Sequence, residues 1–474
     1  MSETIRADLC VIGGGSAGLT VAAGAAQMGA TVVLIEKNRM GGDCLNTGCV
    51  PSKALLAVAD AAQVMRMAGR FGLGAIEPKV DFAAVTSHVH DVIAEIAPHD
   101  SVERFEGLGV RVILAEARFE KPDTVIAGHQ VIKAKRFVIA TGSRPAIPPI
   151  PGLDKIPYLT NESVFELGVL PSHLAVVGGG PVGCELAQAF RRLGCKVTLI
   201  EQETILPKDD PEFSDVVRRH LVKEGIRIRE GARVTRIDDV SDGIAMTVEQ
   251  GGLSGETVAS HLLVATGRTA NIEGLGLDKA RVETSPKGIL VDDRLRTMNK
   301  RVFAIGDVTG GLQFTHMAGY EGGIVVRNAV FRLPAKARPR AVPWVTYTDP
   351  ELAHAGLTEH AAKEAGIAAK VLKAPFASND RARTDRVDDG FIKVLVGGKG
   401  RILGATIVGR HAGELILPWV LAINEKLPVR ALASVIAPYP TLSEISKAAA
   451  VSYYTPTLYS KRTRRIVRWL QKLG

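Results

Sequence analysis

The sequence predicts an α/β protein with two doubly wound, Rossmann-like dinucleotide-binding domains and a C-terminal α+β domain. The main observation is that a G-x-G-x-x-G turn occurs at residues 13–18 and again at 178–183, each time between an apolar strand and a helical segment. After residue 343, short strand-like runs surround a helical segment, as in an α+β module. A chain of 474 residues is long enough for about three or four domains.

The first dinucleotide unit begins the chain and ends its second strand at Glu36. In such a unit the first glycine permits the turn, the second lets the backbone approach a pyrophosphate, and the third lets the helix pack closely. The terminal carboxylate accepts hydrogen bonds from ribose hydroxyls. Residues 11–35 carry no charge, but their glycines and strand–helix–strand pattern argue against a membrane span. The predicted nucleotide-binding residues are Gly13, Gly15, Ser16, Gly18 and Glu36.

Two cysteines separated by four residues, Cys44 and Cys49, follow this unit. We expect both to lie on the first turns of one helix, close enough to form a disulfide. Pro51 suits a first helical turn, and Lys53 lies one turn beyond Cys49. A thiol at a helix N-terminus near a lysine has a lowered pKa. Free cysteines are often packing residues. The neighbouring glycines, the lysine and the preceding G-x-G-x-x-G fingerprint at residues 13–18 nevertheless favour a redox pair.

The segment G-G-D-C-L-N-T-G-C-V-P-S-K, residues 41–53, resembles the active-site signature of the FAD-dependent pyridine nucleotide-disulfide oxidoreductases. This family includes dihydrolipoamide dehydrogenase, glutathione reductase and mercuric reductase. The resemblance extends over about residues 5–450 and implies a homodimer with a Cys44–Cys49 redox disulfide. It implies that the Cys49 thiolate lies beside the flavin and that Cys44 meets the substrate. It also places Gly42, Asp43, Cys44 and Lys53 at the flavin, and pairs Lys53 with Glu185.

Further segments match the family's FAD-binding elements. An A-T-G turn at 140–142 closes the FAD site in the family, and residues 297–307 resemble the element whose aspartate holds the ribityl chain. Residues 314–318 match the segment whose backbone reaches the flavin ring, and the histidine within it is expected to be structural rather than catalytic. The residues assigned to FAD by this resemblance are Ala117, Thr141, Gly142, Ser143, Gly306, Asp307, Phe314, Thr315 and His316.

The second dinucleotide unit is expected to bind NAD(H) rather than NADP(H). Its second strand ends at Glu201, and no basic residue occurs before Lys208. A carboxylate accepts hydrogen bonds from a free ribose 2′-hydroxyl and repels a 2′-phosphate. Two dinucleotide sites in one chain imply electron transfer between them. The residues assigned to this second site are Gly178, Gly180, Gly183, Glu185, Glu201 and Gly267.

The C-terminal domain resembles the family's dimerisation domain but departs from it at one position. Most members carry a histidine before Pro-Thr and a glutamate shortly after; this chain has Tyr439 and then Glu444. The family histidine serves as acid and base at the partner's cysteines. A phenol, with a pKa of about 10, donates a proton but is a poor base near neutrality, whereas imidazole, at about 6.5, does both. We expect Tyr439 and Glu444 to complete the site of the other subunit. Oxidation of a dithiol substrate should then be slow, whereas reduction driven by NADH should be less affected.

Composition and boundaries complete the expectations. Five cysteines without disulfide-framework spacing, and no secretory segment before the first strand, predict a cytoplasmic protein in which Cys10, Cys184 and Cys195 only pack. The basic C-terminal tail is compatible with an anionic membrane surface, an acidic partner or packing on the protein, whereas nucleic-acid and metal binding are not expected. The predicted segments are 1–150 (FAD domain, first part), 151–275 (NAD(H) domain), 276–343 (completing the FAD domain), 344–450 (dimerisation domain) and 451–474 (basic amphipathic tail).

Three functions remain open from the sequence. The first is an NADH-linked disulfide oxidoreductase that resembles dihydrolipoamide dehydrogenase and acts on a small disulfide or dithiol. The second is a mercuric reductase-like enzyme that reduces a soft metal ion or another electrophile such as a quinone. Tyr439 favours this second function, since mercuric reductase also carries an aromatic there, whereas the lack of any cysteine after Cys195 and the identity of Glu201 argue against it. The third is a non-catalytic redox sensor or scaffold.

Overall fold

The structure is a computed structural model and describes residues 4–473. Within these residues the chain forms two compact units. The first comprises residues 4–178, 189–200 and 232–338, and the second comprises 179–188, 201–231 and 339–473. These units do not coincide with the five predicted segments, whose limits remain predictions.

The elements of the first 150 residues begin with the predicted strand, glycine turn and helix. The strand that ends at Glu36 lies where the sequence predicts it, whereas the sequence does not predict the strand that begins at Ala117. The elements are β1 (Thr4–Ile12), α1 (Ser16–Gln27), β2 (Val32–Glu36), α2 (Gly42–Asn46), α3 (Cys49–Met67), α4 (Phe82–Ile96), α5 (Val102–Gly107), β3 (Val110–Leu114), β4 (Ala117–Lys121), β5 (Thr124–Ala127), β6 (Gln130–Ile139) and β7 (Ser143–Pro145).

The middle of the chain repeats the strand–turn–helix–strand unit and then becomes rich in strands. Its elements are β8 (His173–Val177), α6 (Pro181–Arg192), β9 (Lys196–Ile200), α7 (Pro211–Lys223), β10 (Arg227–Arg229), β11 (Ala232–Val240), β12 (Gly243–Gln250), β13 (Leu253–Ala259), β14 (His261–Val264), β15 (Arg268–Ala270), β16 (Thr284–Ser285), β17 (Gly288–Ile289), β18 (Val302–Ala304) and α8 (Thr315–Ala329).

The C-terminal part mixes strands and short helices, as predicted. Its elements are β19 (Trp344–Thr346), β20 (Glu351–Gly356), α9 (Glu359–Glu364), β21 (Lys370–Pro375), α10 (Asp380–Thr384), β22 (Phe391–Val396), β23 (Ile402–Gly409), α11 (Ala412–Leu415), α12 (Leu417–Asn424), α13 (Val429–Ala433), α14 (Glu444–Ser452), α15 (Thr455–Leu458) and α16 (Lys461–Leu470).

The main sheet of the first unit has the order β3–β2–β1–β6–β5–β4, and β18 pairs with β6. Strands β1, β2, β3, β6 and β18 run parallel, whereas β4 and β5 form an antiparallel edge. Alternate residues of β1 pack on opposite faces: Cys10 and Ile12 in one apolar cluster, Leu9 and Val11 in the other. Burial on both faces explains why the two strands at the ends of the charge-free run, residues 11–12 and 32–35, are apolar, because parallel strands covered on both sides need apolar side chains throughout.

Smaller sheets complete the two units. In the first unit, β14, β8 and β9 run parallel, and β11, β12 and β13 form an antiparallel meander. In the second unit an antiparallel sheet has the order β19–β20–β23–β22–β21. Trp419 is fully buried in the core of this sheet and its helices, where its indole N–H donates to the Ser446 hydroxyl at 3.0 Å. The fold is the predicted α/β architecture with a C-terminal α+β module.

Candidate active site

The two cysteines lie on consecutive helices, so the prediction that one helix carries both is wrong. Cys44 lies within α2, and Cys49 is the first residue of α3. Between them, Thr47 donates its backbone N–H to the Asp43 carbonyl at 2.9 Å and its hydroxyl to the Asp43 carboxylate at 2.7 Å. Pro51 supplies the physical reason. A helix running through residues 47–51 would lack the Pro51 N–H and would clash with the preceding turn, so α3 starts just before this proline.

The two thiols differ in their protonation. Cys49 accepts a hydrogen bond from the Cys44 thiol, and this bond lowers the pKa of Cys49 to about 6. The Thr315 hydroxyl, 3.5 Å from the Cys49 sulfur, and the positive charge of Lys53 also lower this pKa, while partial desolvation opposes them. Because Cys44 donates to Cys49, its own pKa is raised. Cys49 and Thr315 begin α3 and α8, so two helix N-termini favour negative charge at this sulfur.

The lowered pKa predicts how the reduced protein reacts with an alkylating agent. Since the thiolate is the nucleophile, iodoacetamide should label Cys49 at a rate that is low below pH 6, rises through a midpoint near that value and levels off above it. Removing the hydrogen-bond donor by Cys44→Ala should move the midpoint upwards, whereas Cys195→Ala should leave it unchanged. Peptide mass spectrometry after brief labelling measures the rate. A midpoint near the ordinary thiol value of about 8.5 would contradict the prediction.

A polar network joins the redox segment, residues 41–53, to the A-T-G turn at 140–142 and to Asp307, the predicted FAD-binding aspartate. Arg268 forms an ion pair with Asp43 at 3.1 Å and donates from Nε to the Ser143 hydroxyl oxygen at 2.7 Å. Ser143 in turn donates its hydroxyl to Asp307 at 2.5 Å. Asn161 donates its side-chain amide to Asp43 at 3.0 Å. The sequence does not predict a role for Arg268 or Asn161; Arg268 directly follows a second A-T-G turn, residues 265–267, whereas Asn161 belongs to no motif.

The first fingerprint forms a cradle that fits an FAD pyrophosphate. Gly13 has a φ of 109°, and a Cβ there would lie 2.3 Å from the Ala140 carbonyl oxygen, so only glycine fits. Glu36 accepts the Gly14 N–H at 2.6 Å and the Asn38 N–H at 2.7 Å. A carboxylate has about four lone-pair sites, which leaves two for ribose hydroxyls. Of the other residues assigned to this nucleotide, Ser16 and Gly18 lie on α1, and Gly15 pairs with Gly41 across an isolated bridge to the redox segment.

The later FAD elements are held around the same sheet. Asp307 lies in a 3₁₀ turn after β18, where burial raises its pKa and the Ser143 hydroxyl and Arg268 oppose this shift. The preceding Gly306 donates its N–H to Glu321 at 2.7 Å, a contact that the sequence did not indicate. Other assigned residues occupy neighbouring positions: Thr141 donates its hydroxyl to the Asn271 carbonyl, Gly142 has a φ of 68°, Ala117 opens β4, Gly42 approaches Gly15, and Phe314 stacks on His316.

The second fingerprint repeats the geometry of the first. Gly178 has a φ of 113°, and a Cβ there would lie 2.3 Å from the Ala265 carbonyl oxygen. Glu201 accepts the Gly179 N–H at 2.6 Å and the Glu203 N–H at 3.0 Å, as Glu36 does in its own unit. Gly180 faces open space, Gly183 is buried in α6, and Gly267, in the second A-T-G turn, has a φ of 129°. The repeat fits a second dinucleotide.

The remaining predicted catalytic residues have partners that the sequence did not reveal. Tyr439 is 71% exposed and donates its hydroxyl to Asp380 at 3.1 Å, a contact that raises the pKa of the phenol. Glu444 accepts the Thr441 N–H at 3.3 Å within the same turn. Glu185 accepts the Tyr347 N–H at 2.9 Å, and its predicted pairing with Lys53 remains a prediction. Tyr439 is therefore fully protonated near neutrality and oriented by Asp380.

The three remaining cysteines differ from Cys44 and Cys49 in burial. Cys10, Cys184 and Cys195 are buried, and burial raises the pKa of each; that of Cys195 rises to about 11. Such thiols are poor nucleophiles.

Among residues 4–473, the helices are all too short or too polar to cross a membrane.

Known protein families and individual known proteins resemble this chain over most of its length. A family model described as pyridine nucleotide-disulphide oxidoreductase matches residues 7–322, and the model of the corresponding dimerisation domain matches 342–450. A mercuric reductase from Bacillus cereus is 38% identical over 449 residues, which cover 94% of this chain and 71% of that protein. A dihydrolipoyl dehydrogenase from Thermus scotoductus is 37% identical over 460 residues, covering 95% and 98%.

Two solved structures share the fold. The HOCl-induced flavoprotein disulfide reductase RclA from Escherichia coli, in its Cu(II) complex, superposes with a TM-score of 0.85 at 28% identity, covering 94% of this chain and 99% of that one. LpdA from Mycobacterium tuberculosis gives a TM-score of 0.86 at 28% identity over 94% and 99%. Both matches span nearly the whole of each chain.

Proposed function

The chain belongs to the pyridine nucleotide-disulphide oxidoreductase family, and we propose that it is an NADH-dependent FAD enzyme that reduces a small disulfide of the lipoamide type. FAD and a nicotinamide nucleotide are the cofactors of this family, and the dimerisation domain implies a homodimer. The observation that carries the proposal is the unequal thiol pair, in which Cys49 is poised as a thiolate and Cys44 is held as its thiol donor.

The proposed chemistry is a thiol–disulfide exchange at this pair. Bound FAD would relay the two electrons of a hydride from NADH to the Cys44–Cys49 disulfide. In the reduced protein the Cys44 sulfur attacks one sulfur of the substrate disulfide, which breaks the S–S bond, frees the other substrate sulfur and forms a mixed disulfide. The Cys49 thiolate then attacks Cys44, releasing the second thiol and restoring the protein disulfide. Lys53 and Thr315 stabilise the Cys49 thiolate between these steps.

The proton positions favour the reducing direction. In the reduced protein Cys49 already accepts a hydrogen bond from Cys44, so it is placed to take the Cys44 proton as that sulfur attacks and to pass it to the first leaving substrate sulfur, which restores the Cys49 thiolate for the second step. The oxidised protein has no such thiolate, and a dithiol substrate must lose its proton to another base. Tyr439, whose pKa is raised by Asp380, is a donor rather than a base at neutral pH. We therefore propose that Tyr439 of the other subunit protonates a leaving substrate sulfur, with Glu444 supporting its turn.

Glu201 predicts the coenzyme preference. The variant Glu201→Ala should lower the ratio of kcat/KM for NADH to that for NADPH by about tenfold or more, because a hydrogen bond to a charged group is lost and a 2′-phosphate is no longer repelled. Glu203→Ala, which changes a neighbouring exposed carboxylate, is the matched control and should leave the ratio unchanged. Stopped-flow flavin reduction with both coenzymes measures it. Faster reduction of the wild-type protein by NADPH would contradict this reading.

Reduction of a different electrophile is the second candidate. It is favoured by Tyr439, which replaces the expected histidine base, and by the 38% identity to a mercuric reductase. A soft metal ion or a quinone needs electrons but no deprotonation of a dithiol.

A substrate panel separates the candidates. The purified holoprotein is supplied with NADH and with lipoamide, glutathione disulfide, Hg²⁺ or a quinone in turn, and the oxidation of NADH is followed. Lipoamide should be reduced faster than the other three. Turnover confined to Hg²⁺ or a quinone would reject the first candidate in favour of the second. A colourless protein after gentle purification, without bound flavin, would reject both.

A further inference from the structure

The C-terminal segment forms a capped helix beyond the dimerisation match, which ends at residue 450. Helix α16, Lys461–Leu470, begins after Ser460, whose hydroxyl oxygen accepts the Thr463 N–H at 3.1 Å. Thr463 also donates its own hydroxyl to the Thr457 carbonyl at 2.7 Å. Tyr453, eight residues before the start of α16, packs against the core of the second unit, and its carbonyl accepts a hydrogen bond from Lys370 at 3.0 Å. The helix therefore follows a segment that is attached to the second unit.

Helix α16 separates apolar from basic side chains. At about 100° per residue, the apolar side chains fall on one half of the helix and most basic ones on the other. The apolar half is uncovered: Ile466, Trp469 and Leu470 are 48%, 60% and 52% exposed. Trp469 lies at the border between the halves. The apolar set is Ile466, Val467, Trp469, Leu470 and Leu473, and the basic set is Lys461, Arg464, Arg465, Arg468 and Lys472; Arg462 is the exception, because it falls on the apolar half, between Trp469 and Leu473.

The charges of this helix oppose its own folding in water. Lys461 and Arg462 lie in the first turn, where positive charge is unfavourable to the helix dipole, and no acidic residue compensates them. Arg464 and Arg468 are four residues apart, as are two other basic pairs, and like charges at this spacing repel. A negatively charged surface along the basic face would remove both penalties.

From these observations we propose that α16 docks in the plane of an anionic phospholipid membrane. The apolar half would enter the headgroup and acyl boundary, and the long basic side chains would reach back to lipid phosphates. The border position of Trp469 suits the headgroup level, where tryptophan is enriched, and favours a bilayer over an acidic protein. Ten residues span about 15 Å, half the hydrocarbon thickness, so the helix lies on the surface. Leu458 and Tyr459, just before the helix, are also exposed.

Vesicle flotation of the full-length holoprotein tests this proposal. The protein should float with vesicles of phosphatidylcholine and phosphatidylglycerol, remain unbound with phosphatidylcholine alone, and dissociate as salt is added. Because each basic residue near an anionic surface contributes about a factor of five, Arg465→Gln with Arg468→Gln should weaken binding by about thirtyfold. Lys133→Gln with Lys287→Gln removes the same charge from exposed positions of the first unit and should have no effect. Trp469→Ser with Leu470→Ser should also release the protein.

Four results would overturn the proposal. They are no binding of the wild-type protein to anionic vesicles at low salt, an equal loss in the matched control, binding to polyglutamate but not to vesicles, and a change of oligomeric state when the apolar residues of α16 are replaced. The third would assign the helix to an acidic protein partner, and the fourth to a second copy of this chain. Flavin content, measured for every variant, verifies that each one is folded.

Discussion

Replacing Cys49 with serine is expected to lower NADH-driven disulfide reduction by at least ~10³-fold while leaving NADH-driven reduction of an artificial dye intact. The hydroxyl of serine neither forms the protein disulfide nor ionises near neutrality, so the exchange sequence loses its closing nucleophile. Electron transfer from NADH to a dye does not require the cysteine pair. Steady-state assays of both reactions on the same preparation measure the effect, and the flavin spectrum verifies that cofactor is bound.

A matched variant separates this chemistry from a general effect of removing a thiol. Cys195 is buried, and its pKa is raised to about 11, so Cys195→Ser should retain both activities. Cys44→Ser should lose disulfide reduction as Cys49→Ser does, since either change removes one sulfur of the pair. If Cys49→Ser reduced the disulfide within tenfold of the wild-type rate, the substrate would be reduced without the cysteine pair. The flavin would then react with the substrate directly, as it would with a quinone.

The contrast between Glu36 and Asp380 shows what local sequence could predict. Glu36 and Glu201 follow their glycine turns at a spacing set by one strand–helix–strand unit, so the repeat places each carboxylate near its own glycine N–H. Asp380 lies 59 residues before Tyr439, and only the packing of the C-terminal module brings the two together. Arg268 and Asp43 are likewise distant in sequence. Contacts of this kind depend on tertiary structure and have no signal in the spacing of residues.

The placement of the cysteines is a different case, because the signal was present in the sequence. Pro51 suits a first helical turn, and it lies in the first turn of α3. The same proline limits how far that helix can extend towards the N-terminus, since it has no N–H for a preceding carbonyl. Cys44 therefore had to belong to a separate element. The division into two helices places Cys49 at the start of α3, within reach of the Cys44 thiol. The hydrogen bond from Cys44 to Cys49, which lowers the pKa of Cys49 and raises that of Cys44, is the main cause of their unequal pKa values.

Replacing Tyr439 with histidine is expected to raise dihydrolipoamide oxidation by about a hundredfold, within the ~10²–10⁴-fold range of general-base catalysis. Imidazole takes up a proton near neutrality, and Glu444, in the same turn, is available to orient it. The rate is measured with dihydrolipoamide and NAD⁺ over a range of pH, and it should rise with pH through a midpoint near 6.5 as the imidazole becomes neutral. Lipoamide reduction by NADH should change by much less.

Two further variants test the proton-transfer role of residue 439 and the effect of Asp380 on the pKa of Tyr439. Tyr439→Phe removes the proton donor without adding a base, so dihydrolipoamide oxidation should stay low while lipoamide reduction falls modestly. Asp380→Asn keeps the shape of the Tyr439 partner but removes its charge, so the pKa of the phenol should fall towards its ordinary value; ultraviolet titration of the tyrosinate measures this shift. An unchanged oxidation rate in Tyr439→His would mean that proton removal does not limit this direction, and the preference for reduction would then have to arise at the flavin or at the coenzyme site.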